Sequence, residues 1–296
     1  MISVPDSFRA QPRWSWDGAG RAWLQELPQA VAEQCRLWDL ELDGAPMHGS
    51  NALVVPVRRH GDPLALRLAP PGDDVHRLVQ DLRLWKGRGT VALEDTDLAR
   101  RAVLLERLDG GLSLDDVPLE EAVEVLAGLV RRLAVPVPAD ADVPSTREEA
   151  QDAAEGFPTG WERTGRPIPR RLTERVVRHA VLLAERDPGD GAVDGDLHFE
   201  QVLAGTREPW LVVDPVLLRG DPEYDLGRIL WSRFDEIEDE AATVRLFERF
   251  VEISGVPADR ARSWVVTRAG SYLIWGLQHG LTDDPPTCVR LLEIFA

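Results

Sequence analysis

Apolar positions near the start of the chain recur at helical intervals. In Arg21-Ala-Trp-Leu-Gln-Glu-Leu-Pro-Gln-Ala-Val-Ala-Glu-Gln they fall three and four apart, which predicts a helix reaching about Leu40. From 40 to 68 the pattern changes to that of strands. Asn51-Ala-Leu-Val-Val-Pro-Val and Pro63-Leu-Ala-Leu-Arg-Leu read as two strands joined through the turn signal His60-Gly-Asp-Pro. A helix is predicted over 73–85, entered from Pro70-Pro-Gly with Asp73 or Asp74 as its N-cap. Two further strands are predicted over 90–93 and 102–108, the second running into the turn Asp109-Gly-Gly.

Beyond this point the helical period dominates. It predicts helices over 119–134, 170–186, 224–234, 240–254 and 259–280, with a short C-terminal turn or helix. A Pro- and Asp-rich break lies at 135–144. The irregular stretch 193–221 interrupts the helices. Within it Gln201-Val-Leu-Ala and Trp210-Leu-Val-Val, joined by Gly205-Thr-Arg-Glu-Pro, form a small hairpin in a helical lobe. The predicted class is α+β with two lobes: an N-terminal lobe over 1–108, in which a first helix precedes a small antiparallel sheet with one helix packed on it, and a helical lobe over 109–296.

With 296 residues, 44% hydrophobic and 29% charged, the chain can bury a large core without metals or disulfides. Cys35 and Cys288 are far apart in sequence and have no metal-binding spacing, so they read as free thiols. No basic segment leads into an apolar run at the start, and no stretch is long and apolar enough to span a membrane. The expected location is the cytoplasm. A net charge of −17 disfavours nucleic-acid phosphates; it suits a cationic small-molecule partner where the acids line a cleft, and the plain alternative is solubility alone. Lys86 is the only lysine, so Arg carries nearly all the positive charge.

The densest polar cluster is Asp194-Gly-Asp-Leu-His-Phe-Glu-Gln-Val-Leu, which leads into the first hairpin strand; Asp214 ends the second. Pairing of the strands brings Asp196 and Asp214 to one edge. Phosphoryl transfer needs such parts: one carboxylate to orient the attacking hydroxyl, and a second to hold Mg²⁺ with a side-chain oxygen, here that of Gln201. The plain alternative is a hairpin with solvated acids at its ends. No P-loop, H-E-x-x-H or G-x-S-x-G pattern is present.

Three blocks carry a resemblance: Gly195-Asp-Leu-His-Phe-Glu-Gln-Val-Leu-Ala, Arg207-Glu-Pro-Trp-Leu-Val-Val-Asp-Pro and Gly220-Asp-Pro-Glu-Tyr-Asp-Leu. With Arg21-Ala-Trp-Leu, Gly49-Ser-Asn-Ala-Leu-Val-Val-Pro-Val, Ala65-Leu-Arg-Leu and Leu104-Leu-Glu-Arg-Leu-Asp-Gly, they resemble the streptomycin kinase and hydroxyurea phosphotransferase family, in order and over nearly the whole chain. That family belongs to the aminoglycoside phosphotransferases, which share the protein-kinase-like fold. The resemblance implies an ATP- and Mg²⁺-dependent kinase acting on a hydroxyl of a small, cationic, aminoglycoside-like molecule. By the same resemblance Asp196 is the catalytic aspartate, and Gln201 and Asp214 are metal ligands. Arg67 stands at the strand position that grips the nucleotide phosphates, and Ser50 and Asn51 lie in the turn that covers them. The backbone of 105–108, with Glu106 and Leu108, is the hinge that pairs with adenine. His198 supports the loop, and Asp221 and Asp225 brace it and cap the next helix by accepting backbone N–H bonds. The acid facing Arg67 is one of Asp73, Asp74 and Asp81. The acidic run from Asp235 to Glu240, and Trp161, Trp231, Trp264 or Trp275, are candidates for an acceptor pocket.

Three residues depart from the family pattern. Arg67 replaces a lysine, Gln201 an asparagine, and Asp194 a histidine. They support a second reading: a degenerate homologue that binds a nucleotide, metabolite or protein without transferring phosphate. The pair Asp196 and Asp214 speaks against it.

Overall fold

The structure is a computed structural model that describes residues 2–296. The chain divides into two compact units. The first contains the residues up to Leu112 together with Leu203–Val213; the second contains Ser113–Val202 and Asp214–Ala296. The division therefore falls after Leu112, not after 108, and the hairpin groups with the first unit instead of the helices. The physical reason is burial: Leu203, Leu211 and Val213 join an apolar cluster of the sheet.

In the first unit a short helix α1 (Asp6–Arg9) precedes the long helix α2 (Gly18–Trp38). Asp17 caps α2 by accepting the Gly20 N–H at 2.7 Å. Seven strands follow in sequence: β1 (Glu41–Leu42), β2 (Met47–His48), β3 (Leu53–Arg59), β4 (Asp62–Leu68), β5 (Leu93–Asp97), β6 (Ala102–Glu106) and β7 (Asp109–Ser113), with helix α3 (Val75–Trp85) between β4 and β5. The main sheet is antiparallel in the order β1-β3-β4-β6-β5, with β2 paired to β3. His60 and Gly61 both have positive φ, 55° and 93°, which suits the two-residue turn between β3 and β4.

Alternation of side chains decides what each face of this sheet covers. Leu64, Leu66 and Leu68 of β4 pack with Leu24, Leu27 and Val31 of α2. Ala65, Val103 and Leu105 pack on the other face with Val75, Leu78, Val79 and Leu82 of α3. Arg67 has the parity of Ala65, lies opposite Val54 and Val103 in the ladder, and is buried. The strand predicted over 90–93 instead begins at Leu93. Gly87 and Gly89, both at positive φ, turn the chain out of α3, and the Val91 N–H is used by the Val212 carbonyl.

The second unit is built from α4 (Leu119–Leu133), α5 (Thr146–Arg163), α6 (Arg170–Glu185), α7 (Leu226–Ser232), α8 (Glu240–Ser254), α9 (Ala258–Gln278) and α10 (Asp284–Phe295). The helix predicted over 224–234 is shorter, because the chain from Asp221 turns before α7 and Phe234–Glu236 forms a separate tight turn. Helix α5 was not anticipated as its own element. A reciprocal cap starts it: Ser145 Oγ accepts the Glu148 N–H, and Glu148 accepts the Ser145 N–H.

A two-stranded pair also escaped the sequence pattern. Strand β8 (Ala192–Asp194) precedes the hairpin β9 (Val202–Ala204) and β10 (Trp210–Val212), and β11 (Leu217–Arg219) follows it. β8 pairs antiparallel with β11, Asp194 opposite Leu217. The hairpin forms as predicted, and β7 completes a small sheet in the order β10-β9-β7.

Candidate active site

The β8–β11 pair places two loops side by side in the second unit. Gly195 donates to the Val216 carbonyl at 2.7 Å. A Cβ at Gly195 would lie 2.7 Å from the Leu218 side chain, so any other residue here would have to displace Leu218. Asp196 follows at once, and Asp214 stands two residues before Val216.

Gln201 joins the two acids. Its Nε2 donates to Asp196 Oδ2 and to the Asp214 backbone carbonyl, both at 3.2 Å. Its Oε1 is buried and lacks a hydrogen-bond partner. The longer side chain therefore reaches across the loops and leaves an amide oxygen free. Asp214 has a φ of 52°, a left-handed conformation that Asp tolerates better than most residues.

Asp196 is half-buried, and loss of solvent pushes its carboxyl up to about 6. Arg228 of α7 opposes that rise by donating to Asp196 Oδ1, while Asp225 and Asp214 add to it. Arg228 was missed in the sequence. Its only signal was a lone cation three residues after Asp225, one helical turn into α7. His198 lies close enough for Arg228 to act on it. Burial first, and then that charge, drive its imidazole down to about 3, so the ring is neutral and suits a supporting role.

Asp225 braces the loop as expected: Oδ2 accepts the Leu197 N–H at 2.9 Å, and Oδ1 accepts Arg268 at 2.7 Å. It does not cap α7 with its side chain. The Asp221 carboxylate accepts no backbone N–H in the way anticipated. It holds Trp264 Nε1 at 2.8 Å and pairs with Arg260 at 3.3 Å. Asp194 accepts N–H groups of both loops on one oxygen, at 3.2 Å from Asp196 and 3.0 Å from Val216.

The donor set fits a magnesium ion. Mg²⁺ takes oxygen ligands, keeps several waters, and needs only one or two side chains beside substrate phosphates. Gln201 Oε1 is such an oxygen, buried without a partner beside the Asp214 loop. Among the described residues no three His, Cys, Asp or Glu side chains converge as a metal shell.

The remaining candidates in the first unit are placed as follows. Ser50 and Asn51 sit in the exposed turn between β2 and β3, where Asn51 accepts from Arg13 at 2.7 Å. Glu106 ends β6. Its N–H pairs with the Ala92 carbonyl, and its carboxylate is clamped by Arg207 at 2.8 Å. Arg207, unforeseen in the sequence, also donates to the carbonyls of Gly87 and Thr90. Leu108 is buried in the sheet cluster. Of the three acids expected to face Arg67, Asp74 caps α3, Asp73 pairs with Arg13 at 3.1 Å, and Asp81 is buried beside Arg77 at 2.9 Å.

In the second unit, two acids of the run have structural roles: Glu236 pairs with Arg233, and Asp239 caps α8. Trp161 and Trp264 donate their indole N–H groups to Ile168 and Asp221. Trp231, Tyr272, Trp275 and His279 stack in succession at centroid distances of 4.6, 5.4 and 4.3 Å, with Trp275 exposed.

The chain as a whole is similar to known proteins. A streptomycin 6-kinase of Streptomyces griseus is 37% identical over 302 residues, covering 100% of this chain and 97% of the relative. A hydroxyurea phosphotransferase of Kitasatospora aureofaciens is 36% identical, covering 99% of this chain and 86% of the relative. The crystal structure of aminoglycoside phosphotransferase APH(4)-Ia superposes with a TM-score of 0.63 over 91% of this chain and 99% of that chain. At 17% identity this likeness speaks to the fold alone. Residues 37–280 match the aminoglycoside/hydroxyurea antibiotic resistance kinases, and the chain belongs to that family.

Proposed function

We propose that this protein transfers the γ-phosphoryl group of ATP, bound with Mg²⁺, to a hydroxyl of a small cationic molecule of the aminoglycoside kind. The observation that carries this reading is the bridge from Asp196 through Gln201 to the Asp214 backbone, with Gln201 Oε1 left over. Asp196 accepts a hydrogen bond from the acceptor hydroxyl and orients its oxygen for attack. Its ionised form is needed for that role. Gln201 and Asp214 would hold the metal. When bound, Mg²⁺ neutralises charge on the phosphates. Arg67 serves as the phosphate ligand of the first unit, where its fork can take two oxygens. Asp81 is the acid we assign to it, being buried and on the helix that packs against the face of β4 carrying Arg67. Ser50 and Asn51 cover the phosphates, and the backbone of Glu106 and Leu108 takes adenine.

The streptomycin 6-kinases and the hydroxyurea phosphotransferase are named for their acceptors, and a solved APH(4)-Ia complex holds ADP and hygromycin B. Streptomycin and hygromycin B support a hydroxylated, cationic acceptor here, whereas hydroxyurea is neutral and supports only the hydroxyl. The net charge of −17 is consistent with such a partner. No described helix is long and apolar enough to cross a membrane. A thermal-shift titration with ATP and Mg²⁺, followed by mass spectrometry of candidate acceptors, tests the reading. Stabilisation by the nucleotide and a phosphorylated product are expected. Stabilisation without any product across hydroxylated guanidino and amino compounds would favour the non-transferring homologue.

A further inference from the structure

Asp194 closes β8, opposite Leu217 of β11. Its Oδ1 accepts the N–H of Asp196 at 3.2 Å and that of Val216 at 3.0 Å. A single oxygen thus ties the backbone beneath the proposed catalytic acid to the backbone just after the proposed metal ligand. The other oxygen, Oδ2, is buried without a partner, and the residue is 4% exposed. Beside it lies a cavity of about 10 Å³, lined by Asp194 itself and by Leu133, Leu197, Asp225, Leu226 and Ile229. That volume suits one water molecule.

An ionised carboxylate is costly in such surroundings unless a cation pairs with it. The neighbouring charges that weigh most on Asp194 are those of Asp225 and Asp196, both acidic, and the cations nearby, Arg268 and Arg228, are paired with those two acids and not with Asp194. Burial first, then these acids, push its carboxyl well above the usual range, against the pull of the two backbone N–H groups.

We propose that Asp194 is a positioning residue, a neutral carboxyl whose Oδ1 clamps the Asp196 loop to the Asp214 loop while its proton stays on Oδ2. The assignment rests on the reading of Asp196 and Asp214 as the reaction centre. It also gives the departure from histidine a physical meaning. A neutral hydrogen-bonding group remains at that position, and no additional negative charge enters the site.

Two variants separate shape, charge and hydrogen bonding. Asp194→Asn keeps an acceptor oxygen and has no charge. Asp194→Leu keeps the branched outline and removes the acceptor. Hydrogen exchange at the Asp196 and Val216 amides should quicken in the Leu variant and stay as in the wild type in the Asn variant. Turnover should follow: the Leu variant loses kcat on the order of 10²-fold, the usual result of a small misplacement of reacting groups, with KM for ATP little changed. The Asn variant retains kcat. Unchanged exchange in the Leu variant overturns the clamp. Loss of kcat in the Asn variant overturns the neutral carboxyl, and this arm decides the matter where the Leu variant does not fold. Exchange is read without any acceptor. A wild type that transfers no phosphate but shows the stated exchange pattern removes the kinase reading and leaves the clamp in place.

Discussion

Arg228 Nη1 donates to Oδ1 of Asp196, so the acid proposed to orient the acceptor carries a guanidinium on one oxygen. Gln201 occupies the other oxygen. A half-buried carboxylate between acids needs such support to stay ionised, and its carboxyl still sits at about 6. This geometry fixes the direction of several experiments.

The first concerns pH. Only the ionised carboxylate of Asp196 can draw on the hydroxyl's proton during attack, so kcat/KM should fall as pH drops through about 6. Arg228 holds that value down. Arg228→Ala should therefore move the acidic limb of the profile to higher pH, lowering activity at neutrality and recovering part of it under alkaline conditions. Arg228→Lys should move the limb less. A limb that stays in place in the alanine variant would separate Arg228 from the charge state of Asp196.

Gln201 bears on the metal. Gln201→Ala removes both the spare Oε1 and the bridge between the loops. Calorimetry of ATP binding at several Mg²⁺ concentrations should show a raised metal requirement. Asp214→Asn should do the same, with a larger loss of turnover. An unaltered metal dependence in both variants would remove these residues from the metal shell.

Stability provides a check independent of chemistry. Asp225 is buried and holds both the Leu197 N–H and Arg268. Asp225→Ala strands a mostly buried guanidinium, and should cost about 3–5 kcal/mol in denaturant unfolding. Asp225→Asn keeps an acceptor for the loop and should cost less. Equal losses would mean that charge, and not the brace, sets the cost.

Arg67 tests the nucleotide site. Arg67→Ala should weaken ATP binding by about 1.5–3 kcal/mol, the worth of a hydrogen bond to a charged group. Arg67→Lys combined with Gln201→Asn should preserve or raise turnover. No change in affinity for the alanine variant, measured by calorimetry, would favour the homologue that does not transfer phosphate.

The long periodic elements were legible in the sequence because burial of one face imposes a period. Helix α8 was predicted with its observed bounds, and α2, α3, α4 and α9 within a few residues. Strands β8 and β11 have three residues each, too few to show any period, and yet they set the two loops side by side. Helix α5 was overlooked although Ser145 and Glu148 signal its start. Asp196, Gln201 and Asp214 stood out because they share one short polar stretch and one hairpin. Arg228 did not, because its contact with Asp196 depends on how α7 packs. The same holds for Asp194, whose burial and double hydrogen bond have no trace in residue order.

The most direct measurement is phosphoryl transfer itself, followed by mass spectrometry with ATP, Mg²⁺ and a panel of hydroxylated cationic acceptors, for the wild type and Asp196→Ala. The wild type should yield a phosphorylated acceptor, and the variant should bind ATP equally well while turning over roughly 10²- to 10⁴-fold more slowly. Equal turnover by both proteins would place the chemistry away from Asp196 and contradict the account.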